Sequence, residues 1–241
     1  MIDEHLFTDR ESLFAALCAA LAARTRAALD ARGVALLGLS GGSTPLPLYR
    51  RFALLDLDWT RVIFALVDER WVGLQHPASN EAALRAALAP ALAKSARLQG
   101  MKTPAHHAID GLADCESAYR ALPLPFDVVL LGMGEDGHIA SLFPHAEGLE
   151  AALDPQATAL CAAISAKPST VTGEHTERLS LTVHALDTAG ELALLMLGDA
   201  KRHTLADAAA GHDALAMPVR ALLRPHHPPL TLWWAPLENS P

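Results

Sequence analysis

Four short apolar runs, at residues 34–39, 62–67, 126–131 and 192–197, each end in a polar or glycine-bearing segment. The third is continuous enough for a strand buried on both faces, as strands of parallel sheets are. Helical signals lie between the runs. Thr8 and Glu11 have capping-box spacing, Leu13, Leu17 and Leu21 recur at every fourth position, and Gly33 supplies a stop, which predicts an amphipathic helix over 9–32. Pro45 suits the first turn of a helix after the first run. Ser79 or Asn80 can cap another through Leu84 and Leu88, and a further helix should run from the Lys201 region to Ala210. Strands alternating with helices predict an α/β fold with a mainly parallel sheet flanked by helices.

The rest of the chain is less regular. Residues 179–183 and 230–235 are read as additional strands, suited to a sheet edge. A length of 241 residues admits one large domain or two small ones. No linker, repeat or low-complexity tract divides the chain, and Pro155, Pro168 and Pro228-Pro229 mark loops, so a single domain over 1–241 is expected.

The formal charge of −8 and the lack of any Lys/Arg stripe argue against nucleic acid and anionic membrane as partners. A small anionic metabolite stays open, because a phosphate needs only a few local cations and backbone N–H groups. Cys18, Cys115 and Cys161 are far apart in sequence and never spaced as CxxC, so reduced, buried thiols are expected. The N-terminal residues lack the basic and apolar regions of a signal peptide, and the chain is read as soluble and cytoplasmic. Oligomeric state is not encoded in any motif, and a monomer is compatible with all of them.

In open parallel sheets ligands bind beyond the carboxyl ends of the strands. One crevice could therefore receive the four polar loops expected after the runs: Ser40-Gly41-Gly42-Ser43-Thr44, Asp68-Glu69-Arg70, Gly132-Met133-Gly134-Glu135-Asp136-Gly137-His138 and Gly198-Asp199-Ala200-Lys201. In the first, two glycines let successive N–H groups point at an anion, and Ser43 and Thr44 add hydroxyl donors. It is not a Walker loop, since no lysine follows the glycines. In the third, Gly132, Gly134 and Gly137 satisfy GxGxxG, but Glu135 and Asp136 sit where a pyrophosphate needs bare N–H groups. The other use of such a turn is to bring His138 into the crevice beside Asp136.

A histidine can take a proton from water near neutral pH, as hydrolysis of an activated ester requires, and a neighbouring carboxylate stabilises the imidazolium. Ser141 lies near His138, but no GxSxG elbow exposes it, so direct attack by water is the simpler chemistry. His106-His107 and His226-His227 lie in proline-containing segments, and His138 with His145 lacks HExxH spacing, so no metal and no cofactor are expected. Trp71 and Trp233-Trp234 are assigned to packing, and Met133 to the lining of its loop.

Together, Ser40-Gly41-Gly42-Ser43-Thr44-Pro45, Val67-Asp68-Glu69-Arg70-Trp71-Val72, Ser79-Asn80 and the run from Gly132 through His138 to Pro144 resemble the 6-phosphogluconolactonase family in order and spacing. The resemblance spans most of the chain. It implies a Rossmann-like fold and hydrolysis of a phosphorylated sugar lactone, with His138 acting on water and Asp136 close by. It further implies a phosphate cradle at Gly41, Gly42, Ser43 and Thr44, and substrate binding by Asp68, Arg70 and Lys201. One segment departs: many members approach an arginine through prolines, whereas here Gly173-Glu174-His175-Thr176-Glu177 precedes Arg178, and a substrate role for Arg178 is not carried over. Glucosamine-6-phosphate deaminases share the fold, but their histidine loop continues toward Asn-Glu-Pro where this chain has Ser141-Leu142-Phe143-Pro144. A non-catalytic sugar-phosphate sensor would have no use for Asp136 and His138.

Overall fold

A computed structural model describes residues 2–224 and 228–237. His226-His227 lie outside them. In chain order the elements are β1 (Asp3–Leu6), α1 (Arg10–Arg32), β2 (Ala35–Leu39), α2 (Leu46–Phe52), β3 (Val62–Leu66), β4 (Asp68–Arg70), α3 (Asn80–Ala87), α4 (Ala89–Ala93) and β5 (Arg97–Gln99). There follow α5 (Ala108–Arg120), β6 (Val128–Gly132), α6 (Leu149–Leu153), β7 (Cys161–Ser165), β8 (Glu177–Leu181), α7 (Val183–Asp187), β9 (Leu192–Leu197), α8 (Asp199–Ala209) and β10 (Leu230–Ala235).

The four apolar runs become β2, β3, β6 and β9, neighbours in a seven-stranded sheet of order β1-β10-β9-β6-β2-β3-β5. All pairings in this sheet are parallel. After β2 the chain winds outward through β3 and β5; it then returns to the other side of β2 and winds through β6, β9 and β10. The loops after β2 and β6 therefore diverge above adjacent strands, which opens a crevice at the reversal of strand order. Leu36, Leu37, Phe64, Val129, Leu130 and Leu194 are fully buried, because helices cover the sheet.

Several expectations need correction. Thr8 does not form a capping box: Asp9 caps α1 by accepting from Ser12 N–H at 2.7 Å, while Glu11 turns outward to pair with Arg51. Asp68-Glu69-Arg70 is not a loop but strand β4, pairing antiparallel with β8 in a second sheet of order β4-β8-β7. Neither additional strand is an edge. β8 is the centre of the small sheet, and β10 lies between β1 and β9, since β1 covers its outer side.

By length and apolar composition α1 could cross a membrane. Leu13, Phe14, Leu17 and Leu21 are instead packed in the core, which accounts for that composition. Cys18, Cys115 and Cys161 are buried and free, although Cys115 and Cys161, remote in sequence, bring their sulfurs to 3.7 Å.

Candidate active site

A cleft of about 450 Å³ opens where β2, β4, β6 and α8 meet, and residues from all four expected segments line it. Gly41, Gly42, Ser43, Thr44, Asp68, Arg70, His138 and Lys201 face it together; Asp136 stands behind His138. Gly42 has φ +89°, a conformation natural to glycine, which the turn from β2 into α2 requires. Gly41 is needed for a different reason: a Cβ built there would fall 2.1 Å from Asn80 Oδ1.

The histidine loop is tightly wound. Gly134 N–H donates to the His138 carbonyl at 3.0 Å, Gly137 N–H donates to the Gly134 carbonyl at 3.1 Å, and Gly137 takes φ +79°. A Cβ on Gly134 would come within 2.2 Å of the His138 ring. The glycines thus make room for an imidazole, not for a dinucleotide. Asp136 Oδ1 lies 2.6 Å from His138 Nδ1 and also accepts the His138 backbone N–H at 3.1 Å. Burial opposes ionisation of Asp136, but hydrogen bonds and charge from His138 outweigh it and hold the carboxyl below its ordinary value. The Phe143 ring packs against the imidazole at 4.5 Å between centroids.

On the opposite wall, Arg70 Nη1 donates to the Ala78 carbonyl at 2.9 Å and to Asn80 Oδ1 at 3.0 Å. Its segment is fixed by Glu69, fully buried, whose carboxylate accepts from the backbone N–H of Arg70, Asn80 and Glu81 at 2.7–2.8 Å and from the Ser79 hydroxyl at 3.1 Å. Burial pushes the Glu69 carboxyl up, against those donors. Asp68 Oδ2 accepts the Ser141 hydroxyl at 2.5 Å. Lys201, in the first turn of α8, completes the cleft; burial lowers its pKa and the charge of Glu135 opposes the shift.

Ser141 is fully buried and committed to Asp68, so it is not placed as a nucleophile. Arg178 does not line the cleft. It is 4% exposed, donates to the carbonyls of His175 and Thr172 at 2.8 and 2.7 Å, and so holds the segment whose Val171 does line the cleft. Desolvation brings its pKa down to about 10. Trp71, Trp233 and Trp234 pack as expected, each with its indole N–H bonded, and Met133 lines the cleft. No group of three or more His, Cys, Asp or Glu side chains is arranged to hold a metal ion among the described residues. Asn80 and Glu69 were assigned no role of their own: both lie in stretches that carry the family resemblance, Ser79-Asn80 and Val67 to Val72, but each acts through contacts made only after folding.

The site and fold define an α/β protein with a glycine turn and a carboxylate–imidazole pair in one cleft above adjacent parallel strands. Residues 8–234 match the family described as glucosamine-6-phosphate isomerases/6-phosphogluconolactonase, and the chain belongs to that family. It is 41% identical to a 6-phosphogluconolactonase of Pseudomonas putida over 96% of this chain and 92% of that one. It is 39% identical to a 6-phosphogluconolactonase of Rhizobium meliloti, over 96% and 98%. A 6-phosphogluconolactonase crystal structure from Shewanella baltica superposes with a TM-score of 0.90 at 36% identity, covering 98% of both chains.

Proposed function

We propose that this chain, acting as one domain in the cytoplasm, hydrolyses 6-phospho-D-glucono-1,5-lactone to 6-phosphogluconate. The observation that carries the reading is the Asp136–His138 pair at 2.6 Å in the same cleft as the Gly41–Gly42 turn, Arg70 and Lys201. With Nδ1 committed to Asp136, Nε2 is the nitrogen that takes a proton from water as the water attacks the lactone carbonyl. The tetrahedral intermediate collapses with cleavage of the bond to the ring oxygen, and the imidazolium returns its proton to that leaving oxygen. Gly41, Gly42, Ser43 and Thr44 receive the phosphate through N–H and hydroxyl groups, Arg70 and Lys201 supply charge, and Asp68 accepts from sugar hydroxyls. The names of the relatives support this substrate.

The test is product formation from freshly generated lactone, corrected for spontaneous hydrolysis and run with and without a chelator. Turnover above the blank, unchanged by chelation, is expected, because side chains supply both base and cations. Turnover no faster than the blank overturns the reading.

A further inference from the structure

One side chain in the cleft wall has no part in the chemistry above, yet three parts of the site depend on it. Asn80 is 3% exposed, at the first position of α3. Its Nδ2 donates to the Asp68 backbone carbonyl at 3.0 Å and lies 3.4 Å from Asp68 Oδ1. Its Oδ1 accepts from Arg70 Nη1 at 3.0 Å. The same carboxamide lies against the Cα of Gly41 so closely that no side chain fits there.

The two ends of the amide are not interchangeable. A guanidinium only donates and a backbone carbonyl only accepts, so the oxygen must face Arg70 and the nitrogen Asp68. An aspartate in its place would have no donor for the Asp68 carbonyl; a leucine would have neither donor nor acceptor. Arg70 Nη1 is fully used by Asn80 and Ala78, while Nε and Nη2 have no protein partner among the described residues. The guanidinium is thereby turned with its free edge available to the cleft that Arg70 lines.

We infer that Asn80 is a positioning residue for phosphate recognition: it orients Arg70, and through Gly41 it sets the height of the glycine turn against that arginine. The inference rests on the reading of the cleft as a phosphosugar site. Without Asn80 the guanidinium must be ordered by the phosphate itself, and a charge-assisted contact made from an unfixed side chain is felt as roughly a tenfold change in affinity.

The test is a double-mutant cycle read by calorimetry with 6-phosphogluconate, alongside lactone kinetics. Asn80→Ala should raise the Kd about tenfold in the parent chain but less than about twofold in an Arg70→Ala background, with KM rising and kcat kept within about threefold. Asn80→Leu, similar in volume but without polar atoms, should match Asn80→Ala. Equal factors in both backgrounds, or parent-like binding by Asn80→Leu, would overturn the inference, since Asn80 would then act independently of Arg70 or by packing alone. Asn80→Ser, small and polar at a helix start, takes the place of Asn80→Ala if that chain does not fold. Because binding is measured directly, a chain without turnover still reports on Asn80; failure of the parent to bind 6-phosphogluconate removes the phosphosugar reading and this inference with it.

Discussion

His138 presents Nδ1 to Asp136 Oδ1 at 2.6 Å, and Nε2 has no protein partner among the described residues. Replacing His138 by Gln keeps a polar side chain of similar reach without a basic nitrogen. General-base catalysis typically contributes about 10²–10⁴-fold, so kcat should drop by that order while KM stays close to its parent value. Asp136→Asn should give a loss of the same kind, because Oδ1 accepts both the ring N–H and the backbone N–H of His138, and a neutral amide in that place no longer stabilises the imidazolium that forms. Steady-state kinetics on folded variants checks both, and near-parent kcat in His138→Gln would remove it from the mechanism.

Gly134→Ala tests the room made for the ring. The added Cβ would lie 2.2 Å from the imidazole, so the ring must swing away from its place beside Asp136. The expected result is a kcat lowered by about tenfold or more with the thermal midpoint little changed, since the ring is part-exposed and has space to move. Parent-like kcat would mean that the imidazole position is not critical.

The cradle should show itself in affinity. Arg70→Ala and Lys201→Ala are each expected to raise KM about tenfold or more, as loss of a charge-assisted bond to phosphate does. Burial lowers the Lys201 pKa, so its ammonium loses its proton at lower pH than an ordinary lysine. Binding of 6-phosphogluconate should therefore weaken on the alkaline side, and Lys201→Arg should flatten that decline. An identical pH profile in Lys201→Arg would assign the titration to another group.

Glu69 predicts a stability effect distinct from catalysis. Its carboxylate serves three backbone N–H groups and a hydroxyl, and in Glu69→Gln the amide nitrogen would face donors it cannot accept from. A loss of about 2–4 kcal/mol in denaturant unfolding is expected. A midpoint equal to the parent's would show that the clamp is dispensable.

The sequence announced the large sheet because β2, β3, β6 and β9 are apolar along their whole length, a local property. The glycine turn and the histidine loop were legible for the same reason: their chemistry is contiguous in the chain. β4 was not, because three polar residues become a strand only through pairing with β8. The interior position of β10 likewise depends on β1, which carries only the polar pattern Asp-Glu-His before Leu6. Asn80 and Glu69 escaped notice as site residues because their partners lie on another element.

The pairing of β1 with β10 also orders events during synthesis. Among the described residues β1 pairs with β10 alone, and every other strand of the sheet lies between the two in the chain. While the chain grows on the ribosome, α1 and the central strands can collapse together as they emerge, but β1 has nothing to join until the residues of β10 are made. Closure of that side of the sheet consequently waits until all its other strands have been made, and a nascent chain arrested before β10 would leave the backbone groups of both β1 and the flank of β9 open to other chains.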